Sequence, residues 1–145
     1  MIKRAKGDIF KGSEKGLKVI AFPMGSNWSD GGYLTKKIGE LCPDAEKWHK
    51  EQRWSKVVND LGDVQWSMVD YTMAFCLLIC RYSKSGVQFD KLEDCLKKLA
   101  EGTRSLAEHH GGNASIHMPV LKRGMKGFEE LIEVHLADFD VFLYE

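Results

Sequence analysis

The stretch VIAFPMGSNWSDGGYL, Val19 to Leu34, changes character half-way along. It opens as an apolar run with β-branched residues, of the kind that fills the interior of a sheet. It then becomes a loop of Gly, Ser, Asn and Asp, after which Tyr33, Leu34, Ile38 and Leu41 recur at helical spacing. A strand that hands over to a helix through permissive backbone is a place where anions settle. The first amides of a helix point outward and carry partial positive charge.

Outward from this junction, LKVIAF (Leu17–Phe22) is predicted as a buried strand, and IKRAKGDIF (Ile2–Phe10) as a half-exposed first strand, with KGSEKG as the turn between them. Pro43 stops the helix after the loop and opens another at DAEKWHKEQ. GDVQWSMVD sets Val64, Trp66 and Met68 on one side, and YTMAFCLLIC is apolar almost throughout. The two read as a hairpin-like pair whose second strand is central. From Asp90 to His109, residues Leu92, Leu96, Leu99, Thr103 and Leu106 share one helical face, with Asp90 as N-cap and Glu93 at the capping-box position. ASIHMPVL is predicted as a strand, KRGMKG as a loop, FEELIEVHLADF as a helix and DVFLYE as the last strand. Strands that alternate with helices predict an α/β fold, a mixed or parallel sheet covered by helices on both faces, with residues 1–145 forming one domain. In such sheets ligands sit beyond the carboxyl ends of the strands, and two glycine-bearing loops follow such ends here.

Lys plus Arg and Asp plus Glu both number 21, so the chain lacks the broad basic field of a duplex-binding protein. Cys42, Cys76, Cys80 and Cys95 form no CxxC pair, and two of them lie in the apolar AFCLLIC. They read as reduced core thiols, neither a disulfide framework nor a metal site. MIKRAKGD has no apolar signal region, and no apolar stretch approaches the roughly 20 residues of a membrane span. The expectation is a cytoplasmic protein with no membrane partner. His109, His110, His117 and His135 show no metal-ligand spacing. Trp48, Trp54 and Trp66 read as packing residues.

Four stretches carry a likeness to a known family: KGDIF, VIAFPMGSNWSDGGYLTKKIGELCPDAEK, LGDVQ, and ASIHMPVLKRGMKGFEELIEVHLADFDVFLYE. In order and spacing they resemble the macrodomain, the module that binds ADP-ribose and related nucleotides. The small single-domain branch with terminal ADP-ribose protein glycohydrolases and ADP-ribose-1''-phosphate phosphatases is the most similar. The resemblance implies a three-layer α/β/α macrodomain-like fold with a central mixed sheet. It also implies ADP-ribose or a related nucleotide as ligand, free or carried on protein or nucleic acid, and no cofactor.

Residue by residue, the resemblance implies that Asp8 accepts a hydrogen bond from the adenine amino group and that the Ile9 amide holds the ring. An Asp that caps a turn after the first strand is the plainer reading of Gly-Asp. The first loop, with Gly25, Ser26, Trp28, Gly31 and Gly32, is expected around the distal ribose, and Trp28 is an aromatic available for stacking. The second loop, Lys122, Arg123, Gly124, Met125, Lys126 and Gly127, is expected around the diphosphate. It keeps two of the family's four glycines and adds three cations. An exposed, solvated loop is the alternative for the second, and a polar turn that caps the next helix for the first.

The family's catalytic groups are not matched. Met24 and Gly25 stand where an Asn is usual; Cys80, Arg81 and Tyr82 where a Lys is usual; Lys126 where an Asp is usual; and Phe22 where some members carry His. Asp30 and Asn27 are the candidates left for a catalytic role. Three functions therefore stand side by side: a nucleotide binder, an ADP-ribose-1''-phosphate phosphatase or ADP-ribosyl hydrolase with a rearranged site, and a drifted scaffold that serves as an interaction or sequestering module.

Overall fold

A computed structural model describes residues 2–11, 16–25, 28, 32–51, 61–81, 86–121 and 124–145, and the statements below concern those residues. Six strands form one sheet: β1 (Ile2–Ala5), β2 (Leu17–Gly25), β3 (Asp63–Met68), β4 (Met73–Arg81), β5 (Ala114–Pro119) and β6 (Asp140–Tyr144). Their order is β1-β6-β5-β2-β4-β3. All neighbours pair in parallel except β3, which runs antiparallel to β4. The helices are α1 (Tyr33–Leu41), α2 (Asp44–Glu51), α3 (Phe89–Ala107) and α4 (Met125–His135).

The period of the strands divides the core in two. Leu17, Val19 and Ala21 of β2 join Ala74, Cys76 and Leu78 of β4, Ile116 and Met118 of β5, and the inner faces of α3 and α4. Ile20, Phe22 and Met24, with Phe75, Leu77 and Ile79, face Ile38 of α1 and Ala45 of α2. The result is three layers, α/β/α. β2 is buried on both faces because it lies inside a parallel sheet, which explains why its sequence is nearly continuous in apolar residues. α3 buries Leu92, Cys95, Leu96, Leu99, Ala100, Thr103 and Ala107, a stripe at helical period. Each leucine so buried stabilises the fold by about 1.5–3 kcal/mol.

Several expectations are corrected. The buried positions of β3 are Gln65 and Ser67, while Val64 and Trp66 are half-buried and Met68 is exposed. β3 is an edge strand whose α2 side is covered, and Gln65 donates from Nε2 to the Ala45 carbonyl at 3.0 Å. β4 is paired on both sides yet stands next to that edge; β5 and β2 are the middle pair. α3 begins at Phe89, with Gln88 as N-cap and no side-chain cap. Glu93 instead pairs with His135 of α4 at 2.9 Å. α4 begins at Met125, so Lys126 and Gly127 belong to its first turn and not to a loop. Trp48 is exposed. Trp54 and Tyr82 lie outside the described residues.

Candidate functional site

Five strands are parallel, so their carboxyl ends share one rim. There the turn after β1, the start of α1, the end of β5 and the end of β6 come together. A cleft of about 540 Å³ opens at this rim. It lies between the Gly7–Ile9 turn, Tyr33 and Leu34 at the start of α1, Pro119 and Val120 at the end of β5, and Tyr144 with Glu145.

Asp8 organises the turn after β1. Its Oδ1 accepts the Phe10 amide at 2.9 Å and its carbonyl accepts the Lys11 amide at 3.0 Å. The carboxylate is exposed, and the Ile9 and Phe10 side chains are buried beneath it. Capping the turn and facing the cleft are therefore both met by Asp8. The Phe10 ring meets Phe75 edge-on at 5.8 Å and Tyr33 at 6.2 Å. Tyr33 itself is 65% exposed. An aromatic face at the mouth of the cleft thus rests on a buried one. On the opposite wall, the Tyr144 hydroxyl bonds His117 Nδ1 at 2.7 Å, and His117 Nε2 bonds the Ser115 hydroxyl at 2.8 Å. His117 stacks on Phe142 at 4.8 Å. Burial, with the Lys18 charge second, holds the His117 ring down to about 3, so it is neutral near pH 7.

Of the second loop, Gly124 is the N-cap of α4, at φ +74°, and no side chain caps the helix. The amides of Met125, Lys126 and Gly127 stand in its first turn, where no intrahelical acceptor exists. The amides just before it are engaged: Val120 donates to the Tyr144 carbonyl at 2.9 Å, and Leu121 to the Met125 sulfur at 3.3 Å. A Cβ on Gly124 would lie 2.5 Å from Phe89 Cζ, and one on Gly127 3.5 Å from Phe89 Cε1. Phe89 therefore accounts for the glycine at 124 without any ligand. Lys122 and Arg123 lie outside the described residues.

Of the first loop, Gly25, Trp28 and Gly32 are described; Ser26, Asn27, Asp30 and Gly31 are not. Gly25 is buried and its carbonyl accepts the His49 Nε2–H at 3.1 Å. Trp28 is half-buried, edge-on to His49 at 5.5 Å, and packs on the core beneath α1 and α2. Gly32 caps α1, its carbonyl accepting the Thr35 hydroxyl at 2.9 Å. His49 escapes a sequence reading of the site. Its one signal is a place four residues after Ala45, on the inner face of α2. Tyr144 also lines the cleft unannounced, and Lys18 bonds the Lys11 carbonyl next to the Asp8 turn. Among the described residues no group of three or more His, Cys, Asp or Glu is arranged to hold a metal, and no helix is long and apolar enough to cross a membrane.

A macrodomain protein from Streptomyces coelicolor has the same architecture, with a TM-score of 0.79 at 22% identity over 100% of this chain and 99% of that one. This chain has the macrodomain fold. A Bacteroides thetaiotaomicron protein gives a TM-score of 0.78 at 22% identity, covering 99% of both chains. The macrodomain of Thermus aquaticus DarG gives 0.73 at 13% identity over 100% of this chain and 98% of that one. No protein-family model matches the sequence, and no curated protein does. At these identities the likeness is one of fold.

Proposed function

We propose that the rim cleft binds ADP-ribose or a closely related nucleotide, free or attached to protein or nucleic acid. One observation carries the reading: the Asp8 turn, Tyr33, Tyr144 and the end of β5 at Pro119 and Val120 line one space of about 540 Å³, and α4, next along the chain, starts without a side-chain cap. That volume lies within the range of small-molecule pockets. Asp8, an acceptor when ionised, suits an exocyclic amine, and the Ile9 amide suits a ring nitrogen. The α4 amides with Gly124, Met125, Lys126 and Gly127 suit a diphosphate, and Lys122 and Arg123 add charge. Gly25, Ser26, Trp28, Gly31 and Gly32 bound the distal ribose in this reading.

Titration calorimetry with ADP-ribose tests the reading. Saturable heat is expected, and Asp8→Ala should weaken binding by about 10- to 100-fold, the worth of a charge-assisted hydrogen bond. No heat at millimolar ligand refutes it. Hydrolysis is a separate step, for which Asp30 and Asn27 are the candidates to activate water. Turnover of ADP-ribose-1''-phosphate that survives Asp30→Ala removes that role.

A second reading is favoured by Phe89. Its ring explains Gly124, and Met125 engages the Leu121 amide, so these two features of the second loop are met by the protein itself. A scaffold that serves as an interaction module would look this way, and a silent titration would support it.

A further inference from the structure

Lys18 lies on β2 among fully buried neighbours and is itself 3% exposed. Removing an ammonium from water is costly, and an apolar side chain of similar length would fill the same space without that cost. Its Nζ donates to the Lys11 carbonyl at 2.7 Å. That carbonyl belongs to the last residue of the turn built on Asp8, whose side chain takes the Phe10 amide and whose carbonyl takes the Lys11 amide. The segment between β1 and β2 has no helix or strand among its described residues. Phe10, with its ring against Phe75 and Tyr33, and the Lys18 ammonium hold its residues Phe10 and Lys11 against the sheet.

We propose that Lys18 is a positioning residue for the cleft: from beneath, its ammonium grips the Lys11 carbonyl and so fixes the turn that presents the Asp8 carboxylate. This rests on the nucleotide reading above, and Lys18 touches no ligand. Its charge also acts on His117, whose ring is held low by burial first and by Lys18 second. His117 is therefore an independent reporter of the ammonium.

The test is Lys18→Met, measured both without and with ligand. In the ligand-free protein, amide exchange at Phe10 and Lys11 should quicken about tenfold, and the His117 ring, followed by NMR titration, should rise. ADP-ribose affinity should fall about tenfold. In an Asp8→Ala background the same substitution should cost less than about twofold, because the two act through one turn. Unchanged exchange at Phe10 and Lys11, or an equal affinity loss in the Asp8→Ala background, overturns the assignment. If Lys18→Met does not fold, Lys18→Leu, which also lacks a donor for the Lys11 carbonyl, carries the same measurements with the same expected and refuting results. A wild-type protein that binds no ADP-ribose refutes the nucleotide reading alone, since the exchange measurement still decides whether Lys18 holds the turn.

Discussion

Gly124→Ala separates a glycine kept for a ligand from a glycine kept for packing. Gly124 caps α4 at φ +74°, where an L-residue is disfavoured by about 1–2 kcal/mol. The added Cβ would also lie 2.5 Å from Phe89 Cζ and 3.0 Å from Phe89 Cε2. Forcing a methyl against a packed ring costs about 1–3 kcal/mol. The two contributions sum to roughly 2–5 kcal/mol. The lower part of that range applies because Phe89 is half-buried and its ring can yield outward. Urea denaturation measures the loss as a lowered midpoint with an unchanged slope. Phe89→Leu in the Gly124→Ala protein should recover the steric part, which is the coupling energy of the double-mutant cycle, and leave about 1–2 kcal/mol of backbone strain. A Gly124→Ala protein within about 0.5 kcal/mol of wild type, or a cycle without coupling, refutes the reasoning. The glycine would then have to be explained by what approaches the loop from outside.

Two further measurements test the interior. In the unfolded chain a histidine titrates near about 6.5, whereas His117 in the fold is held down to about 3. Between these values the unfolded state binds the extra proton, so stability should fall as pH drops through this window and stop falling, for this group, below about 3. His117→Asn, which has no such titration, should flatten that part of a plot of urea midpoint against pH. A wild-type profile already flat over the window counts against the buried neutral ring. Burial also raises every thiol, Cys80 to about 12, and Cys42 alone is half-buried. In native buffer a disulfide reagent should therefore react slowly with Cys42 and not with Cys76, Cys80 or Cys95, and with all four in denaturant. Fast labelling of a second thiol in native buffer would contradict the packing of α3 on β4.

Much of the fold is legible in the chain because burial on two faces leaves an unmistakable pattern. LKVIAF and AFCLLIC can only be interior strands, and the stripe on α3 follows the helical period. Boundaries were harder to read where one signal served another end. Glu93 looks like a capping partner for Asp90 but bonds His135 across to α4. Gly127 looks like loop and lies in a helix, under Phe89. On β3 the apolar alternation holds for Val64 and Trp66, which pack against the α3 core, but not for Met68, which is exposed, and it gives no sign that the α2 side is also covered and holds Gln65 and Ser67. For the site, the rim that gathers the turns follows from strand order, which the parallel pattern foreshadows. The supports beneath it do not follow: a lysine in an apolar strand, or a histidine near a helix end, carries no local mark of being buried. The roles assigned to Ser26, Asn27, Asp30, Gly31, Lys122 and Arg123 concern residues outside those the structure describes.

Ile2 is the register partner of Val141, so the outermost strand on one side of the sheet is closed by a segment far along the chain. Closing so long a loop adds little to its equilibrium cost, because the entropy grows only with the logarithm of length, but such distant pairings are slow to form. A nascent chain must keep Ile2–Ala5 waiting on the ribosome with its edge groups unpaired until Asp140–Tyr144 emerges. Pulse-labelling during synthesis should find this ladder protected last, after the β2–β4 pairing has formed.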